Sequence, residues 1–219
     1  MENNDKAGLP KEGIWAVFIT AVSFCAVIAI WGIVYPKQMT GTAMAVTRYM
    51  LVNLDWFFLL LCTGLLIFSL YLAFGPYSHI KLGGDKEKPE FSTISWLSML
   101  FAAGMGCGLL FWGVAEPMSH FMDPPGMEAR TPEAARFAMM TTNLHWGLHA
   151  WGIYSVSALV LAYFGFRKNK PYLPSIPLRV AFSGKHIDKI CRITDIIAVL
   201  SVVFGVAGSL SMGVLQINA

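Results

Sequence analysis

Phe101-Ala102-Ala103-Gly104-Met105-Gly106-Cys107-Gly108-Leu109-Leu110 lies in the middle of an apolar run, with three glycines on alternate positions. A membrane helix tolerates glycine, but three within five residues remove the side chains that stiffen it. The backbone can then unwind or let another group approach closely. Unwound backbone at membrane depth is where transporters place ion and substrate sites. The plainer use is tight helix packing, because Gly104 and Gly108 form a Gly-xxx-Gly pair. On the residues alone both uses stand.

The surroundings of this stretch are those of an all-α integral membrane protein. Of the 219 residues, 56% are hydrophobic and 13% charged, with a mean hydropathy of +0.57; soluble domains carry roughly 25% charged residues. Five apolar runs, 13–35, 49–74, 94–115, 142–166 and 194–219, are each long enough to cross ~30 Å of hydrocarbon as a helix. Pro36, Pro76, Pro117 and Pro171 follow four of them, as expected where helices stop. The first run is too long for a signal peptide and lacks a small-residue cleavage site after it, so it reads as an anchor that stays.

Charge sets the expected orientation. The N-terminal tail and the even-numbered loops hold twelve Lys and Arg, seven of them in the fourth loop, against four in the odd-numbered loops. The positive-inside rule therefore puts the N-terminus in the cytoplasm of a multi-pass protein of the cell inner (plasma) membrane. The second loop alternates charge through Lys81, Asp85, Lys86, Glu87, Lys88 and Glu90 and reads as a solvated turn, with Ser92 or Thr93 capping the next helix. In the third, Asp123-Pro124-Pro125-Gly126 is a turn signal, and the stretch from Pro132 to Ala138 reads as a short surface helix. The fourth is proline-rich and basic, suited to anionic lipid. The chain stops at Gln216-Ile217-Asn218-Ala219 without a cap, which reads as a cut within or just after a helix.

The fourth run opens with Asn143-Leu144-His145-Trp146-Gly147-Leu148-His149-Ala150-Trp151-Gly152-Ile153-Tyr154. On a continuous helix, at roughly 100° per residue, Trp146, Trp151 and Tyr154 share one broad face. Three electron-rich rings can hold a quaternary ammonium group by cation–π attraction; they can equally form an interfacial aromatic belt. His145 and His149 have a metal-binding spacing but no third ligand nearby, so no metal is expected. The acids Asp55, Glu116 and Asp195 lie near run ends; Glu116 either faces a vestibule, pairs with a base, or fixes a loop. Cys25, Cys62, Cys107 and Cys191 are too scattered for a disulfide framework or a metal knuckle. No phosphate loop, nucleophile elbow or triad is present, so no catalytic residues and no cofactor are expected. The basic residues are not interleaved with exposed aromatics, which leaves nucleic-acid binding unsupported.

Taken together, the segment from Phe101 through Trp112, Gly113 and Glu116 to Pro117 resembles the signature third helix of the betaine/choline/carnitine transporter family. The segment from His145 to Tyr154 is similar to that family's fourth helix, and Phe204-Gly205-Val206-Ala207-Gly208-Ser209-Leu210 with Gln216-Ile217-Asn218 to its fifth. The Phe74-Gly75-Pro76-Tyr77 turn and the basic link fit as well.

The resemblance implies a secondary active transporter for trimethylammonium or related zwitterionic solutes. Family members have twelve spans, two peripheral helices followed by a five-plus-five inverted repeat of the leucine-transporter kind, and typically form homotrimers. This chain would hold five transmembrane helices: 1–93 the tail and two peripheral helices, 94–219 the first three helices of the first repeat. A complete pathway needs both repeats, so the resemblance implies a piece of a longer transporter. It also implies substrate contacts at Gly104, Met105, Gly106, Gly108, Trp146, Trp151 and Tyr154, and sodium ligation by the carbonyls of Ala102 and Met105, with sodium as the coupling ion. The Gly-Met-Gly-x-Gly form is similar to betaine-type members rather than to the sodium-independent carnitine exchangers. Val202 and Val206 offer no oxygen where some sodium-coupled members carry Thr, which puts a second sodium site in doubt and leaves proton coupling open. The alternatives are a non-transporting membrane scaffold, a proton-coupled choline transporter, and a metalloenzyme using His145 and His149.

Overall fold

The computed structural model describes residues 11–104 and 106–218 and is all-helical, with no strand among the described residues. Eight α-helices follow in order: α1 Lys11–Val34, α2 Pro36–Phe74, α3 Thr93–Gly104, α4 Gly106–Met122, α5 Pro132–Trp146, α6 Leu148–Ala162, α7 Ile176–Ala181 and α8 Ile187–Ile217, with a π-helical turn at Tyr163–Arg167 after α6. Among the described residues, four helical stretches are long and apolar enough to cross a membrane: Gly13–Val34, Pro36–Phe74, Pro132–Arg167 and Ile187–Ile217. The third expected run falls on α3 and α4, of 12 and 17 residues.

One expected loop is helical instead, and another is shortened at its start. α2 begins at Pro36, so only Tyr35 separates it from α1 where a thirteen-residue loop was expected. Proline at the first helical position lacks only an N–H that would be unpaired anyway, and its fixed φ starts a helix as readily as it follows one. The corner is then packed: Trp31 Nε1 donates to Gln38 Oε1 at 3.3 Å, and Met39 Sδ fills the space over Gly32. At 39 residues α2 is roughly 58 Å long, well beyond the bilayer's hydrocarbon core. Asp55 therefore lies in mid-helix, not at an end.

Pro117 also lies inside a helix, α4, which continues to Met122. Proline removes the N–H that would bond the Gly113 carbonyl and disfavours helical backbone at the residue before it. That residue is Glu116, whose carboxylate is held by two side chains of α5, so tertiary bonds outweigh the local preference.

The chain divides into two units: Met1–Gly84 with Gly152–Val202, and Asp85–Trp151 with Val203–Ala219. In the first, α6 packs on α2 through Gly152, where a methyl group would lie 3.0 Å from Leu66 Cα, and Ser69 Oγ donates to the Gly152 carbonyl at 3.3 Å. Arg167 donates to the Gly83 carbonyl at 3.0 Å, tying the end of the π-helical turn to the second loop. Asp195 of α8, 3% exposed, accepts from Ser175 N–H at 3.2 Å and Ser175 Oγ at 2.8 Å. This satisfies the carboxylate and pins the proline-rich link to α8.

In the second unit α4 packs along α5. Ser92 caps α3, accepting from Ser95 N–H at 3.2 Å, and Thr131 caps α5, accepting from Ala134 N–H at 3.2 Å with Pro132 at the first helical position. The turn between α4 and α5 uses left-handed backbone at Gly126 (φ 71) and Arg130 (φ 62), closed by Arg130 N–H donating to the Phe121 carbonyl at 3.1 Å. The helix that starts at Pro132 does not stop at Ala138; it runs to Trp146.

Candidate functional site

The second unit brings the glycine-bearing helix and the aromatic stretch together. A methyl group at Gly108 would lie 3.9 Å from Trp146 Cη2, so the indole edge rests over that glycine in ordinary contact. Phe101 of α3 meets Trp151 edge-on, with ring centroids 6.3 Å apart and planes at 63°. Trp112 Nε1 reaches Met212 Sδ of α8 at 3.1 Å.

Glu116 is the polar centre of this arrangement. Its side chain is 12% exposed. Oε2 accepts from Trp146 Nε1 at 2.6 Å, Oε1 lies 2.5 Å from His145 Nδ1, and His120 Nε2 is 3.5 Å from the same oxygen. Of the readings open for Glu116, pairing with a base is the one realised, and the base is His145. Charge-assisted bonds of this length are the strong ones in a folded chain. They fix the Trp146 ring, which a hydrogen bond to its only N–H orients.

Gly147 interrupts the helix between Trp146 and Trp151. Its backbone (φ −88, ψ −146) is not helical, and a Cβ there would collide with the Asn143 carbonyl oxygen, so only glycine fits. The helical angles that put Trp146, Trp151 and Tyr154 on one face assumed a continuous helix and do not carry across this break. Trp151 ends the first segment of the second unit and Tyr154 belongs to the first unit, where its side chain is exposed.

Among the other expected contacts, Gly104 ends α3, Gly106 and Gly108 open α4, and Ala102 lies in the last turn of α3. Met105, expected at both the substrate and the sodium, lies outside the described residues. His149 falls in α6 beyond the Gly147 break from His145. His120 was not singled out in the sequence, although it stands four residues after Glu116 on the same helix face and its ring contacts Phe137 and His145.

The family described as "BCCT, betaine/carnitine/choline family transporter" matches residues 16–219. The chain belongs to this transporter family. It is 42% identical over 206 residues to the glycine betaine transporter OpuD of Bacillus subtilis (strain 168), covering 94% of this chain and 40% of the relative. It is 38% identical over 210 residues to a probable glycine betaine transporter of Desulfitobacterium hafniense (strain Y51), covering 96% and 42%. With an ectoine/hydroxyectoine transporter of Virgibacillus pantothenticus it shares 38% over 204 residues, covering 92% and 40%. The chain thus spans about two fifths of the length of these curated relatives. Family and relatives alike are named as transporters, not enzymes, and the several long apolar helices of this family member are those of a multi-pass membrane protein.

Proposed function

We propose that this chain carries the first part of a secondary active transporter for betaine-like trimethylammonium or related zwitterionic solutes, driven by sodium symport. In this reading 1–93 supply the tail and two peripheral helices, and 94–219 the first three helices of a leucine-transporter-like repeat. The chain then has five spans, an N-terminus in the cytoplasm of the cell membrane, and a homotrimeric whole protein. The observation that carries the reading is the seating of Trp146 on Gly108, in the same unit as the Phe101–Trp151 ring pair, within a family whose named members include glycine betaine and ectoine transporters.

The chemistry follows from the residue types. A trimethylammonium group has no N–H to donate, so its recognition relies on π faces and desolvation, which Trp146, Trp151 and Tyr154 supply. Glycines 104, 106 and 108 let backbone approach a bound solute, and the carbonyls of Ala102 and Met105 ligate sodium. The remaining helices of a twelve-span protein complete the pocket, and the two repeats rock around it.

Uptake of labelled glycine betaine by cells carrying the full-length protein tests this. A cation–π contact is worth ~1–2 kcal/mol when desolvated, so Trp151→Leu or Tyr154→Leu is expected to raise KM roughly tenfold. Gly106→Val is expected to abolish uptake with the protein still in the membrane. Unchanged KM in both ring variants refutes the aromatic site. Uptake that persists without sodium and follows a proton gradient favours proton coupling instead, and a membrane-inserted protein with no uptake favours the scaffold.

A further inference from the structure

Glu116, His120 and His145 form a cluster whose ligand atoms, one per residue, all lie within 4.8 Å of one another. We propose that these three side chains bind a divalent transition cation, Zn2+ in the first instance, at the α4–α5 interface. The proposal is independent of whether the protein transports betaine.

The residue types are those of a zinc site with two imidazoles and one carboxylate, which leaves a fourth position for water. Glu116 and His120 stand at i and i+4 on α4, so both project from one helix face, and His145 comes from the last turn of α5. Two imidazole nitrogens of different helices converge on one carboxylate oxygen, at 2.5 Å from His145 Nδ1 and 3.5 Å from His120 Nε2.

Around tetrahedral zinc, with metal–ligand bonds of about 2.0–2.1 Å, neighbouring ligand atoms sit roughly 3.3 Å apart. The Glu116–His120 separation already has that value within ~0.2 Å. The His145 nitrogen needs to retreat by ~0.8 Å from Oε1, the change expected when a metal ion replaces the proton between them.

Two further requirements of a metal site are met. The ligating carboxylate is oriented by an outer hydrogen bond, Trp146 Nε1 to Oε2 at 2.6 Å. The His120 ring is held in turn by an edge contact with Phe137, with centroids 6.2 Å apart. An entry path exists, because the His145 side chain is 54% exposed while Glu116 is 12% exposed. A bound ion would cross-link α4 to α5 beyond Pro117, at the point where α4 lacks a backbone hydrogen bond.

The test uses the purified full-length protein in detergent, stripped with chelator and dialysed against ZnCl2 or CoCl2. Elemental analysis is expected to find about one zinc per chain, as three converging ligands imply. Cobalt is expected to give the intense visible bands of a four-coordinate ion. His120→Gln and His145→Gln are each expected to weaken zinc binding at least 10–100-fold, the loss seen for even outer contacts of a metal site. His149→Gln, on α6 outside the cluster, is expected to bind like the wild type. If a cluster variant fails to fold, the wild-type stoichiometry and cobalt spectrum decide alone. Wild-type chain without stoichiometric zinc, a cobalt spectrum of the hexa-aqua type, or His120→Gln and His145→Gln binding as tightly as wild type each overturns the proposal.

Discussion

Gly152→Val is the sharpest test of how α6 packs on α2. A methyl group at Gly152 would lie 3.0 Å from Leu66 Cα and 3.2 Å from Leu66 Cβ and N, all on or next to a backbone that cannot rotate away. Carbon–carbon contacts are optimal at about 3.5–4.0 Å, so the two helices must part by roughly 0.5–1 Å. Overpacking of this kind costs about 1–3 kcal/mol. Opposing it, alanine gains about 1 kcal/mol over glycine in a helix interior. Gly152→Ala is therefore expected to lose only ~0–2 kcal/mol. Valine adds two methyls with a stiff χ1 and recovers less helix propensity. Parting the helices also stretches the 3.3 Å bond from Ser69 Oγ to the Gly152 carbonyl, worth about 1 kcal/mol. The expected loss for Gly152→Val is ~2–4 kcal/mol from these two contributions.

Denaturant unfolding in detergent measures this loss. Cys62, one turn before Leu66 on α2 and partly buried, adds a local reading through its rate of thiol labelling, which is expected to rise. Gly64 supplies the control of sign: nothing lies within 4 Å of a methyl group there, so Gly64→Ala is expected to stabilise by up to ~1 kcal/mol. If Gly152→Val unfolds with the wild type and leaves Cys62 labelling unchanged, the close packing of α6 on α2 is wrong.

Further outcomes follow from single contacts. Glu116→Ala strands the N–H groups of Trp146 and His145; with His145 half in solvent the expected loss is ~2–4 kcal/mol, read by unfolding followed through tryptophan emission. Asp195→Ala leaves the buried Ser175 N–H and hydroxyl without their acceptor and is expected to cost ~2–4 kcal/mol, with faster proteolysis of the link before α8 as the local sign. Thr131→Ala removes the α5 cap and is expected to cost about 1 kcal/mol, while Thr131→Ser restores most of it. Gly108→Ala meets Trp146 Cη2 at an ordinary 3.9 Å and is expected to be tolerated, whereas Gly108→Leu is expected to displace the indole and shift its emission.

Much of the helical layout is legible where a residue has only one local meaning. Thr131 before Pro132 marks a helix start because the hydroxyl and the missing N–H suit only that position, and α5 begins there. Pro36 and Pro117 have two meanings. Each reads as a stop after an apolar run, yet Pro36 opens α2 and Pro117 is carried within α4. For Pro117 the meaning depends on partners far along the chain, because Glu116 is held by α5. The same limit governs the site. Glu116 and His145 are each conspicuous in the sequence, but 29 positions separate them, and no local pattern says that one carboxylate oxygen meets that imidazole. His120 was within reach of the i, i+4 rule applied from Glu116. Gly147 was visible as a glycine inside a helical pattern, but not the carbonyl of Asn143 that makes it obligatory.

The two family motifs, far apart in sequence, are joined physically by one side chain. Gly108 and Glu116 are eight positions apart on α4, about 12 Å along the axis at 1.5 Å per residue. Helical side chains lean toward the N-terminus, so the Glu116 carboxylate reaches back toward Gly108 by several ångströms. An indole is of a size to bridge what remains, and Trp146 does so lengthwise, its Nε1 on Glu116 Oε2 and its Cη2 over Gly108. The glycine at one end and the acid at the other are thus two halves of one seat for Trp146. A larger residue at Gly108 pushes the ring off its bond, and loss of the acid frees the ring to slide along the glycine face. Gly108 therefore packs against Trp146, and that packing, with the bond to Glu116, sets where the ring lies.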